Sequence, residues 1–224
     1  MLACAMPASA RPKRPPSRRH SPPPKPYHHG DLRRGLIDAA LELAEKGGAD
    51  SVSVREAARR AGVSPGAPFR HFSSRDALMI AVAEEAQRRF RAEIEAALAA
   101  ALPDDPLAQI RELGLAYLRW AMKNPAHFEI ISTGRYFDHD AAGPLSKDNA
   151  ELIARMAGLL GDAAARGQLR HGDLKRTQIA ARALVYGYAR MLIDGHFPRW
   201  GVAEDEVEAM AEGILDLFIA GIAK

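Results

Sequence analysis

The chain has 224 residues, 24.3 kDa, 47% of them hydrophobic, with a formal net charge of +3. That length and apolar content suffice for one domain with a buried core, or a small module joined to a larger one. No apolar run approaches the ~18 residues a membrane helix needs. A single cysteine, Cys4, leaves no intrachain disulfide, so the expectation is a cytoplasmic protein that contacts no membrane.

The charge is unevenly placed. Residues 1–29 hold Arg11, Lys13, Arg14, Arg18, Arg19 and Lys25 and no acid, a balance of +6 that leaves −3 for the rest. The same stretch holds eight of the fifteen prolines. It reads as a disordered, basic, Pro-rich tail over 1–29, either a nucleic-acid arm or a solvated extension. The opening "MLACAM" is too short for the apolar core of a signal peptide.

Alanine and leucine dominate the rest of the chain, β-branched residues are sparse, and the periodicity predicts an all-α chain of about nine helices. The first starts near Asp31 and buries Leu32, Leu36, Ile37, Ala40, Leu41 and Ala44 on one stripe. "KGG" at 46–48 ends it. Ser53 with Glu56 makes an S-x-x-E capping box for a second, short helix over 54–61, which Gly62 terminates. Ser64 caps a third, with Pro65 at its first position, running to His71. It spans two turns at most, and Pro68 distorts its first turn. Ser73 with Asp76 opens a long fourth helix, 75–100, before Pro103. Five more are predicted near 106–123, 125–133, 145–166, 173–196 and 203–222, with a loop over 134–144.

The pair of short helices joined by "AGVS" is a helix-turn-helix in form. In such modules the second helix enters the major groove and the first crosses the phosphates. Arg55, Arg70, His71 and Arg75 supply donors, Ser53 and Ser64 supply hydroxyls at helix starts, and Ala67 and Phe69 suit thymine methyls.

"SVREAARRAGVSPGAPFRHFSSRDAL" resembles the DNA-binding signature of the TetR family of bacterial regulators over about 31–80. The resemblance implies an all-α homodimer, with a DNA-binding domain over 30–76 and a ligand-binding and dimerisation domain over 77–224. Carried over by position, Ser53, Arg55, Phe69, His71 and Arg75 match backbone-contacting positions, and Pro65, Gly66, Ala67 and Arg70 face the groove. Two positions depart from the family: Phe69 replaces a tyrosine whose hydroxyl reaches phosphate, and Arg75 replaces a lysine. "ALVYGYARMLIDG" at 183–195 resembles the penultimate helix of a subgroup marked by Trp, His and Gly, with Arg182 and Tyr186 in place of the first two.

In the C-terminal half, the last two helices are the natural four-helix dimer contact, with Met191, Ile193, Met210, Ile214, Leu217 and Phe218 as its candidates. An effector pocket among the helices of 106–166 would draw on Tyr117, Trp120, Phe128, Tyr136, Phe137 and Met156, with His127 as a polar anchor. Each of these residues also reads as ordinary core. His28-His29 and "DHD" at 138–140 do not form a metal set, and no catalytic motif is present, so no metal, cofactor or enzyme activity is expected.

The function expected is a repressor that binds a palindromic double-stranded operator as a homodimer and is released by a small-molecule effector. Two recognition elements about 34–36 Å apart would read successive major grooves. Two rival readings stay open: an all-α small-molecule binding protein without DNA binding, and a helical enzyme with an unrecognised site.

Overall fold

The structure is a computed structural model that describes residues 32–101, 104–136 and 143–224. The 1–29 tail, Phe137 and the 138–140 segment lie outside the described residues. Eight α-helices carry the described chain: α1 (Leu32–Gly47), α2 (Val54–Arg60), α3 (Arg75–Ala100), α4 (Pro106–Lys123), α5 (Pro125–Ser132), α6 (Pro144–Ala165), α7 (Leu174–Ile193) and α8 (Val207–Ile222). The only extended pairing among the described residues is one bridge, Leu169 to Ala223, which ties the chain end to the α6–α7 turn.

The helix starts obey local chemistry. Ser53 Oγ accepts from the Glu56 amide at 3.1 Å and caps α2, while the Glu56 carboxylate takes Arg59 instead of completing a box. α3 is capped by Ser74, whose Oγ accepts from the Ala77 amide at 3.1 Å, one residue later than the Ser73–Asp76 cap expected. Asp105 accepts from the amides of Leu107 and Ala108 ahead of Pro106. Pro106, Pro125 and Pro144 each stand at the first position of a helix, where a missing N–H leaves nothing unpaired.

The third expected helix is the main correction. It is a 3-10 segment, Ala67–Arg70, not an α-helix of two turns starting at Pro65. An α-helix from Pro65 would need an amide at Pro68 to bond the Ser64 carbonyl, and proline has none. The Ser64 carbonyl accepts instead from the Ala67 amide at 3.1 Å, which tightens the turn. The Ser64 side chain does not cap the segment.

Two principal cores form, and α3 belongs to both. Leu78, Met79, Val82, Ala83 and Ala86 join Leu36, Ala40, Leu41, Val54, Ala57, Ala58 and Phe72 in the N-terminal core. One turn further, Phe90 and Ile94 join Leu115, Leu118, Trp120, Phe128, Tyr188 and Leu215 in the second. Ile130 of α5 and Leu145 of α6 reach into the N-terminal core, so the two units pack as neighbours. A smaller cluster around Ile110, Leu159, Leu160 and Leu169 closes the far end. Among the described residues, no helix is long and apolar enough to cross a membrane.

Candidate functional site

The 3-10 segment stands out from the N-terminal unit on one buried peg. Pro68 is fully buried beneath it, and Phe72 closes the core behind it. Around that peg, Ser64, Pro65, Gly66, Phe69, Arg70 and His71 are all exposed, with Ala67 half-buried. Phe69 is 52% exposed, so packing into a small core does not account for it. The turn before the segment depends on Gly62, whose φ of +70° lies in the left-handed region. It lets the Val63 amide bond the Ala58 carbonyl at 3.0 Å and reverse the chain.

The cations of this unit fall into two groups. Arg59 is held by Glu56 and Arg60 by Glu42. The Glu56 carboxyl is pulled below its usual range by the Arg59 hydrogen bond, against a smaller effect of burial. Arg55 and Arg70 make no ion pair among the described residues and are exposed, so their charge is available to a partner. Arg75 differs from the expected surface cation. Its guanidinium donates to the carbonyls of Val52 (2.8 Å) and Ala49 (2.9 Å), lies 3.7 Å from Asp50, and stands 5.8 Å from the Tyr136 ring. It pins α3 to the α1–α2 connection through Nε and Nη2, and the Nη1 donors take no part in those two bonds.

The second feature is a cavity of about 590 Å³ in the C-terminal half, lined from α3 to α8. Its deep wall is aromatic: Phe90, Tyr117, Trp120 and Phe128, with Met156 beside them. Phe90 meets the Tyr117 ring edge-on at 5.4 Å and Trp120 at 4.8 Å. Burial pushes the Tyr117 phenol up to about 12, against the opposing charge of Arg182. Of the expected effector residues, Tyr117, Trp120, Phe128 and Met156 line the cavity and Tyr136 does not.

His127 does not line it either. The ring is buried at the seam between the two units, 6.5 Å from Trp120, with Nε2 3.2 Å from Glu45 Oε1 of α1 but neither nitrogen in hydrogen-bond geometry. Burial drives its pKa below the ordinary 6.5, with Glu45 opposing, so it is uncharged at neutral pH.

The expected dimer residues divide in the same way. Phe218 lines the cavity, and Met191, Ile193 and Ile214 pack against the second core. Met210 and Leu217 are exposed, seven residues apart and so on one face of α8, with Leu217 at 74%. Sequence reading misses the polar lining of the cavity: Gln87, Ser132, Asn149, Lys175, Gln178 and Arg182. Lys175, Gln178 and Arg182 recur at helical spacing on α7, a signal readable only once the cavity fixes which face of α7 is inward. Among the described residues no group of three His, Cys, Asp or Glu side chains is placed to hold a metal.

Two family models match the chain: "Bacterial regulatory proteins, tetR family" over 36–82, and "Tetracyclin repressor-like, C-terminal domain" over 110–218. The HTH-type transcriptional regulator AcrR of Shigella flexneri is 34% identical over 83 residues, 37% of this chain and 38% of that protein. The fatty acid metabolism regulator protein of Bacillus subtilis (strain 168) is 22% identical over 205 residues, 84% of this chain and 93% of that protein. A solved structure of a protein of unknown function from Rhodococcus sp. RHA1 superimposes with a TM-score of 0.74 at 32% identity, covering 90% of this chain and 100% of that one.

Proposed function

The chain belongs to the TetR family and is a DNA-binding transcriptional regulator, and on that premise we propose that it acts as a homodimeric repressor that a small molecule releases from a near-palindromic operator. Residues 30–76 are assigned to DNA and 77–224 to effector and dimer, with α3 running between them. Arg55 and Arg70 contact the duplex, Arg55 at phosphate and Arg70 in the major groove, flanked by Ser53, Ser64, Phe69 and His71. Met210 and Leu217 face the second copy. The proposed setting is the cytoplasm.

The observation that carries this reading is a shared helix. Phe90 of α3 forms part of the cavity wall, and the turns from Leu78 to Ala86 of the same helix pack into the core beneath the DNA-facing segment. A ligand in the cavity therefore touches the helix that shares a core with α1 and α2, on which the Arg70 segment rests. A differential affinity of about 1–3 kcal/mol between the two arrangements is enough for such coupling. The cavity lining offers Ser132 and Tyr117 but no histidine or carboxylate beside them among the described residues, which favours binding without turnover.

The test is binding to labelled DNA from upstream of the protein's own gene, with salt varied and unlabelled random DNA as competitor. Retention against competitor and a footprint with two-fold symmetry support the dimeric repressor. Loss in equal measure to random DNA overturns operator recognition at that site.

A further inference from the structure

The charge around the cavity is one-sided. Lys175 and Arg182 line it, and no carboxylate does among the described residues. Neither cation makes an ion pair with a described residue. The contrast with the adjoining cavity of about 230 Å³ is direct. There Arg91 and Arg155 share the walls with Glu95, Asp148 and Glu151, and Arg91 is neutralised by Asp148 at 2.6 Å and Glu151 at 2.5 Å. Both cations are exposed at the cavity, so an anionic group bound there gains a charge-assisted contact for which no lining acid competes.

Arg182 is also held in place. Its guanidinium stands 5.1 Å from the Tyr117 ring and 5.4 Å from the Tyr186 ring, so two aromatic faces fix its position while leaving its N–H donors unspent on acids. The polar and apolar parts of the cavity are separated in space. Its exposed lining residues, Asn149 and Ile153 of α6 with Lys175, Ile179 and Arg182 of α7, form an opening between these two helices. Gln178 crosses that opening, donating to the Ile153 carbonyl at 2.7 Å. The deep end is the buried aromatic wall of Phe90, Trp120 and Phe128.

We infer that the effector is an amphiphilic carboxylate, whose apolar body fills the aromatic depth of the cavity and whose anionic head pairs with Arg182 at the α6–α7 opening, with Lys175 adding to the attraction. Arg182 is thus a specificity-determining residue. A planar guanidinium donates two parallel hydrogen bonds to a carboxylate, which a neutral head cannot reproduce. This inference rests on the effector-responsive reading above, and adds to it the class of molecule.

The experiment uses the full chain with Trp200, which is exposed, changed to Phe, so that Trp120 in the cavity wall reports binding by fluorescence. Dodecanoate, dodecan-1-ol and dodecylamine are titrated, with 2-naphthoate and 2-naphthalenemethanol as an aromatic pair. In each pair the acid binds at least about tenfold tighter than the alcohol, and the amine binds weakest. The linear and aromatic pairs then tell which apolar body fits. Arg182→Gln abolishes the preference for acid, bringing acid and alcohol within about twofold. Arg182→Lys, the fallback if that variant melts early by circular dichroism, keeps a reduced preference.

Equal binding of acid and alcohol, tighter binding of the amine, an intact preference in Arg182→Gln, or no binding of any probe at about 1 mM overturns the inference. Acid-selective binding that leaves operator affinity unchanged upholds the effector class and instead overturns release by the ligand.

Discussion

The two halves of this molecule treat space and charge in opposite ways. The N-terminal unit is packed with alanine and leucine around Pro68 and Phe72, and sets Arg55 and Arg70 outward and unpaired among the described residues. The C-terminal half is built from larger aromatic side chains that do not fill the volume they enclose, and it turns Arg182, equally without an acid, toward that volume. In the proposed function, one end offers a cationic edge to a large polyanion and the other a cavity to a small molecule. Both proposed sites rely on arginines the fold leaves without an acid, whereas Arg60, Arg89 and Arg91 tie one helix to another and Arg59 pairs within α2.

If that division is right, damage to one half should leave the other intact. The largest effect is expected for Arg55→Ala with Arg70→Ala. Operator affinity falls by about two orders of magnitude, and the slope of log K against log salt is reduced by about 1 for each phosphate no longer neutralised. Dodecanoate binding stays at its wild-type value in the fluorescence titration. A parallel loss there would break the comparison.

Gly114→Val addresses the other half. A Cβ at Gly114 would meet Leu215 Cδ2 at 2.7 Å, where α4 and α8 approach beside the cavity, and Leu215 is buried. Overpacking there lowers stability by about 1–3 kcal/mol in urea melts. It also weakens effector binding while operator affinity at low salt is retained. Gly62→Ala forces a side chain into the left-handed region and costs about 1–2 kcal/mol, read in the same melts. That substitution weakens DNA binding and spares the cavity.

The smallest effect lies at the seam. His127 has its folded pKa depressed by burial, with Glu45 and Glu85 opposing and Arg89 reinforcing, so the unfolded chain takes up the proton first. Stability therefore declines as pH falls below the ordinary 6.5 and levels off below the folded pKa. His127→Gln flattens that part of a melting-temperature profile recorded from about pH 7.5 to 5. A wild-type profile with no slope there would show that the seam does not depend on an uncharged ring.

The same contrast explains what can be read from the residues alone. The DNA-facing element is contiguous: cap, turn glycine, prolines and arginines fall within about 25 positions, so spacing and type identify it together. Even there, reading fails where two local rules compete. Pro65 suits a helix start, but Pro68 removes the amide that the helix would have used, and a 3-10 turn results. The cavity draws single residues from several helices. Which aromatic side chains face it, and which merely fill a core, depends on helix rotations that periodicity leaves open. Tyr117 and Trp120 line it as their residue types suggest, whereas His127 lies at the seam, and Phe218 and Arg182 take part in the wall. Arg75 reads as a surface cation because its partners are carbonyls, and backbone acceptors leave no mark in a sequence.

Arg75 attaches α3 to the α1–α2 connection at one end, and in the proposed effector response Phe90 serves as its fulcrum at the cavity. About fifteen residues of α-helix separate them, an arm of about 22 Å. A tilt of about 5° at the fulcrum sweeps the far end by about 2 Å on that arm. Because Arg75 grips the carbonyls of Ala49 and Val52, the sweep carries the α1–α2 connection along instead of bending it. In the two-fold dimer proposed above both arms would swing, so the separation of the two reading edges would change by up to twice that amount, a mismatch with the groove spacing that rigid duplex DNA resists.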